Sequence, residues 1–270
     1  MKRKNTLNAG VVAFSLLTIA GIAPMASAIS QADAVSIDDT QDAKAVEIIE
    51  ASIEALGGSE VLAEAKHMKQ TGTITIPSAG LSGTLESYAK SPDSFLLVMT
   101  LPGFGEQRTG MNDGVAWSSD VMSGPRLLSD EETESLKDEA DVTSQLQYRD
   151  QYPTIEFVGE VDFDGSKASK IKLIDDDGNE SIKYYSVETK LPLGVEQTAP
   201  SQMGPIKTVT IMRDYKEIGG MKVPFTIVQK LGPQEVKMEI KETSFEKFDE
   251  SVFELPAAVK ALVEAQKKDD

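Results

Sequence analysis

GTLESYAKSPDSFLLVMTLPGFGEQRTGMNDGVAWSSD, residues 83–120, decides the fold class. Phe95, Leu97, Met99 and Leu101 fall on alternate positions. Side chains alternate faces along a strand, so these four share one face. Leu96 and Val98 fall on the other face, where a charged substitution should be milder. Pro92-Asp93 opens this strand and Pro102-Gly103 closes it. Asn112-Asp113-Gly114 is a hairpin signal, because Asn and Gly supply the positive φ of a tight turn. The only tryptophan, Trp117, follows at once. The block has the rhythm of four short strands and contains no catalytic group.

Outward from this block the strand rhythm continues on both sides. Residues 67–76 form a strand rich in β-branched types, and further strands are expected at 155–162, 168–175, 180–187, 193–198, 206–215, 222–231 and 234–245. Asp164-Gly165, Asp177-Gly178, Gly219-Gly220 and Gly232-Pro233 mark the turns between them. Pro224 predicts an edge strand or a bulge. A helix precedes the first strand, capped by Thr40 or Asp42. Its apolar positions are Val46, Ile49, Ile53 and Leu56, and Gly57-Gly58 ends it. Residues 129–150 predict one or two helices covering part of the sheet, and a short frayed helix starts at Ala257. The class is therefore mainly β with a few helices (α+β), a strongly curved antiparallel sheet or incomplete barrel. Such a sheet has an apolar face that helices or a ligand must cover. The expected organisation is a signal peptide over 1–28, a flexible entry segment over 29–41, one domain over 42–262 and a disordered tail over 263–270.

Lys2, Arg3 and Lys4, the apolar run from Leu7 to Ala23, and Ala26-Ser27-Ala28 make the three regions of a secretory signal peptide cleaved after Ala28. The product is expected to be periplasmic or otherwise exported, with no integral membrane segment after cleavage. With no cysteine, disulfides, thiolate metal sites and thiol nucleophiles are excluded, and the core alone must stabilise the domain. Cleavage removes three of the 27 basic residues and none of the 44 acidic ones, so the mature charge is 24 − 44 = −20. That charge repels nucleic acid and anionic membranes.

The residues offer little chemistry. His67 is the only histidine, so a base or metal ligand there would lack the usual partners. No Gly-x-Ser-x-Gly elbow accompanies it. Asp175-Asp176-Asp177-Gly178-Asn179-Glu180 resembles the start of a calcium loop, but Glu180 stands at the sixth position, where that loop needs glycine. It and Asp162-Phe163-Asp164-Gly165 are read as hairpin tips. Gly103, Gly105 and Gly110 have no Walker lysine after them. The chain is expected to be no enzyme, with no cofactor and no metal. What remains is the apolar face, for which Phe95, Leu97, Met99, Leu101, Trp117, Ile171, Leu173, Ile182, Tyr184, Val209, Ile211, Phe225 and Ile227 are the expected lining residues.

A helix ending in EALGG, then TGTITI, GTLESYAKSPDSFLLVMTLPG, NDGVAWSSD, YYSVETKLPLGVE, RDYKEIGGMKVPFTI and FDESVFELP follow in order. Over about residues 42–256 this pattern resembles the outer-membrane lipoprotein-sorting, LolA/LolB-like superfamily of exported proteins. The resemblance implies an unclosed half-barrel with helices packed on its concave side. It also implies a carrier that shelters the acyl chains of a lipid or acylated protein, or else a sensor or protein-interaction module that transports nothing. The best-known carrier holds its lid helices shut with an arginine. The resemblance places that role on none of Arg108, Arg126, Arg149 and Arg213.

Overall fold

The computed structural model describes residues 40–199 and 205–269; the expected signal peptide and nearly all of the entry segment lie outside them. The chain opens with α1 (Ala43–Leu56) and the short α2 (Ser59–Glu64). Six strands follow: β1 (His67–Ile76), β2 (Leu81–Lys90), β3 (Ser94–Leu101), β4 (Gly105–Asn112), β5 (Val115–Asp120) and β6 (Gly124–Leu127). A helical connection contains α3 (Asp130–Ala140), a 3₁₀ turn at Ser144–Gln147 and α4 (Tyr148–Gln151). Seven more strands complete the sheet: β7 (Thr154–Phe163), β8 (Ser166–Ile174), β9 (Glu180–Ser186), β10 (Pro192–Ala199), β11 (Ile206–Ile218), β12 (Met221–Leu231) and β13 (Gln234–Ser244). A 3₁₀ turn at Glu250–Phe253 and α5 (Ala257–Asp269) end the chain, so the segment expected as a disordered tail is helical through Asp269.

All thirteen strands belong to one antiparallel sheet, in the order β6-β5-β4-β3-β2-β1-β13-β12-β11-β10-β9-β8-β7. The chain starts mid-sheet at β1 and steps out hairpin by hairpin to β6. It crosses to the far edge at β7 and steps back until β13 pairs with β1, Lys69 opposite Ser244 and Thr75 opposite Lys237. The edges β6 and β7 do not pair with each other, so the barrel stays open. Both edges are managed. The β6 strand has only four residues, and β7 is partly paired by the chain entering α1, where Asp42 N donates to the Ile155 carbonyl and Ile155 N to that of Thr40.

Local chemistry explains the elements. Asp42 caps α1 by accepting the Lys44 amide at 2.7 Å, and Gly57 ends the helix at φ +136°. A Cβ on Gly57 would lie 2.5 Å from the Gly220 carbonyl oxygen, so glycine lets the end of α1 seat against the β11–β12 turn. Pro224 does not make β12 an edge; that strand is central. Its partner β11 carries an irregularity at Asp214 (φ +57°) nearby. On the other side, the pairing of β12 with β13 starts only at Thr226, so no ladder bond is asked of the proline. Asp175 uses Oδ1 to accept the amides of Asp177 and Asn179, which makes the Asp-rich stretch a hairpin tip.

One core lies on the concave face, where Phe95, Leu97, Met99 and Leu101 pack with residues of α1 and α3. A second lies across the sheet. There Leu96 and Trp117, 6% and 3% exposed, pack with Phe253 and Val259 of the C-terminal segment, with Phe248, Val252 and Leu255 around them. Leu96 is thus not on an open face, because residues 248–259 wrap the convex side of strands β2 to β6. We expect Leu96→Asp to lower the urea midpoint about as severely as Leu97→Asp, since either would bury an unpaired carboxylate. A near wild-type midpoint for Leu96→Asp would show that the C-terminal segment does not cover the sheet.

Candidate functional site

The site is the concave face and the helices that fill it. On α1, Ala45, Ile49, Ser52, Ile53 and Leu56 make the buried stripe, an amphipathic helix turned onto the β7–β12 half of the sheet. The other half, β2 to β5, is covered by α3. Its sequence DEETESLKDEA has few apolar residues, and Leu136 and Ala140 are those it buries. The helices leave a cleft of about 60 Å³ at one end, between Leu56, Leu62, Met68, Val142, Tyr215 and Phe245. A small-molecule site needs roughly 300–1,000 Å³. In this arrangement the side chains of the helices occupy the place a large ligand would take.

Polar contacts hold the helices down. Arg126 on β6 donates from Nη1 and Nη2 to the two carboxylate oxygens of Glu132 on α3, at 2.9 and 2.8 Å. Glu132 and Ser129 form the capping box of that helix. Burial by itself would raise the Glu132 carboxyl. The hydrogen bonds from Arg126 and Ser129, with the Arg126 charge, outweigh it and hold the group below the ordinary carboxylate value. At the opposite edge the Tyr148 hydroxyl donates to Glu50 of α1 at 2.6 Å, and Arg149 lies 3.5 Å from the same carboxylate. Burial and the Glu50 bond push the Tyr148 hydroxyl well above its usual range, so it stays a donor. Arg126 and Arg149 therefore tie helices to the fold. Arg108 pairs with Glu106 of its own strand, and Arg213 with Asp164 of the β7–β8 turn.

The expected lining residues divide between the two faces. Phe95, Leu97, Met99, Leu101, Ile171, Leu173, Phe225 and Ile227 lie together in the concave core. Trp117 belongs to the convex cluster. Tyr185 is in the concave core, so by alternation Ile182 and Tyr184 point to the convex side. There the Tyr184 ring stacks on Phe163 at 3.9 Å; burial, with the bond its hydroxyl donates to Glu196, pushes that hydroxyl up to about 12. Gly194 pairs with Ile211, and the Phe163 ring lies against that glycine, so Ile211 faces the same way; Val209 follows it by alternation. Met68, Ile74, Met238, Ile240 and Tyr185 are concave residues that the sequence reading did not select. An alternation of Met68, Ile74 and Ile76 is present in β1, but Gln70 and Gly72 interrupt it. His67 stands on the convex side of β1, its Nε2 3.4 Å from Glu250 and its ring edge-on to Phe248.

No family model matches the sequence, and no curated protein matches it either. Solved structures do match. A DUF1329 family protein from Desulfovibrio piger superposes with a TM-score of 0.56 at 12% identity, over 78% of this chain and 97% of its own. A LolA superfamily protein from Nitrosomonas europaea gives 0.53 at 13% identity, over 78% and 97%. The chain has the LolA-superfamily fold. A domain from Vibrio parahaemolyticus described as an outer membrane lipoprotein-sorting protein gives 0.52 at 12% identity, over 77% and 97%. The superpositions establish the LolA-type architecture alone, and identities this low carry no residue's role with them. The described residues contain no helix long and apolar enough to cross a membrane.

The Arg126–Glu132 pair gives this LolA-type structure a testable acid sensitivity. Because the folded carboxyl lies below its unfolded value, its contribution is present above the ordinary carboxylate pKa and is lost as pH falls through the folded one. We expect Glu132→Gln to cost about 1–3 kcal/mol in urea denaturation at pH 7. The gap to wild type should shrink steadily below about pH 4.5. A gap that stays constant down to pH 3 would mean the charge on Glu132 contributes nothing.

Proposed function

We propose that this protein is an exported carrier whose half-barrel shelters the apolar chains of a lipid or an acylated protein. It uses no cofactor and performs no covalent chemistry. The observation that carries the reading is the cover on the concave face. Eight aliphatic and aromatic side chains from β3, β8 and β12 form part of one apolar core there, and part of its lid is a helix as polar as α3. An apolar chain replacing that helix would gain about 0.8 kcal/mol for each buried CH₂. The helix, released, would return Glu132 and the buried Glu134 oxygen to water. The small cleft beside Met68 and Phe245 is where such an exchange would begin. The lipoprotein-sorting description given to a domain with the same fold supports this reading, as does the signal-like composition of residues 1–28.

A second reading, a sensor or protein-interaction module that transports nothing, is favoured by the hairpin tips. Phe104, Val121 and Met122 are 39%, 72% and 77% exposed. They stand together, since a Cβ on Gly105 would lie 2.7 Å from Val121 Cγ2. Native mass spectrometry of protein purified from a bacterial periplasm separates the two. The carrier reading expects a co-purified amphiphile that dissociates on denaturation, or a mass shift on adding an acylated peptide. Repeated absence of both, with a protein partner lost on Met122→Ser, would establish the second reading instead.

A further inference from the structure

Gln70 lies wholly inside the concave core with its side-chain carbonyl oxygen unanswered. Gln70 of β1 is 1% exposed. Met68 and Ile74, two and four residues away on the same face, are core residues. Its Nε2 donates to Thr243 Oγ1 on β13 at 3.2 Å. Its Oε1 is buried and has no donor among the described residues. A carbonyl oxygen removed from water without a donor is a cost that a leucine or methionine at this position would avoid. Met68 lines the cleft, and Gln70 lies two residues further along the strand, roughly 7 Å from it and outside the cleft's lining. The acceptor thus sits one step beyond the opening through which an apolar chain would enter.

We propose that Gln70 Oε1 is a specificity-determining acceptor for a ligand whose apolar chain carries a hydrogen-bond donor, above all the N–H of an amide-linked acyl group. The proposal rests on the carrier reading above and deepens it. Once the helices give way, the apolar tail lies along the face formed by Phe95, Leu97 and Met99, and the amide N–H meets the waiting oxygen. Thr243 Oγ1 accepts from the other end of the carboxamide. A simple fatty acid buries the same tail but leaves the oxygen unpaired. An ester does likewise, having no donor.

The test compares N-lauroylglycine, which has an amide N–H, with N-lauroylsarcosine, which differs by one N-methyl and has none. Dodecanoate and 3-hydroxydodecanoate serve as further probes. Calorimetric titration of the wild-type protein should favour N-lauroylglycine over N-lauroylsarcosine by roughly tenfold, the worth of one good buried hydrogen bond. A similar preference for 3-hydroxydodecanoate over dodecanoate would make a hydroxyl an equivalent donor. Gln70→Met should bind dodecanoate as wild type does and lose the preference for N-lauroylglycine. Equal binding of the glycine and sarcosine amides by wild type, with dodecanoate bound, would overturn this inference alone and assign the oxygen to a buried water. Failure of every probe to bind would overturn the carrier reading and the inference together. The wild-type comparison needs no variant to fold.

Discussion

A single antiparallel sheet that curls without closing must find cover for the face it curls around. The rest of this structure follows from that constraint. Closure would let the strands fill the interior with their own side chains, as small barrels do. Here β6 and β7 stay apart, and the chain passes from one edge to the other between them. That passage carries α3 and α4, and α1 arrives from the N-terminal side, so the crossing itself supplies the cover. The pairing of β1 with β13 makes this possible. It joins two runs of hairpins, each built from neighbours in sequence, into one surface broad enough to need helices.

The two sides of the sheet are covered with different materials. On the convex side of β2 to β6, the C-terminal segment meets Leu96 and Trp117 with Phe253 and Val259, an ordinary apolar contact. On the concave side the fit is less complete. Five buried side-chain atoms lack a partner among the described residues. They lie on Ser52, Glu134 and Gln151 of the helices and on Gln70 and Ser181 of the strands. Each is a cost borne by the arrangement in which the helices occupy the cavity. Against it stand localised ties such as Arg126 to Glu132 and Tyr148 to Glu50. A cover held by a few polar ties over an imperfect interface opens more readily than a close-packed core would.

Much of the fold was legible in the sequence because a sheet of hairpins is built from local signals. Alternation placed Phe95, Leu97, Met99 and Leu101 on one face, and turn residues such as Asn112-Asp113-Gly114 set the strand boundaries. The site was less legible. Alternation shows that residues of one strand share a face but not which face of the next strand they join; the register puts Tyr184 opposite Lys170, and Ile211 opposite Gly194, on the side away from Leu173. Trp117 went astray for the same reason, since its cover comes from residues more than a hundred positions later. Gln70 gives no signal, because glutamine is ordinarily a solvent-facing residue.

The sequence by itself determined an antiparallel, hairpin-built α+β chain with no cysteine, a single histidine and a strongly acidic balance. Periods of two residues and turn chemistry act over a few bonds and can be read directly. Only the tertiary structure decided that β13 returns to β1, that α1 and α3 divide the concave face between its two halves, and that the C-terminal segment seals the convex side of β2 to β6. These outcomes depend on which distant surfaces meet when the sheet curls. That is a matter of shape and burial summed over the whole chain, and no local stretch encodes it.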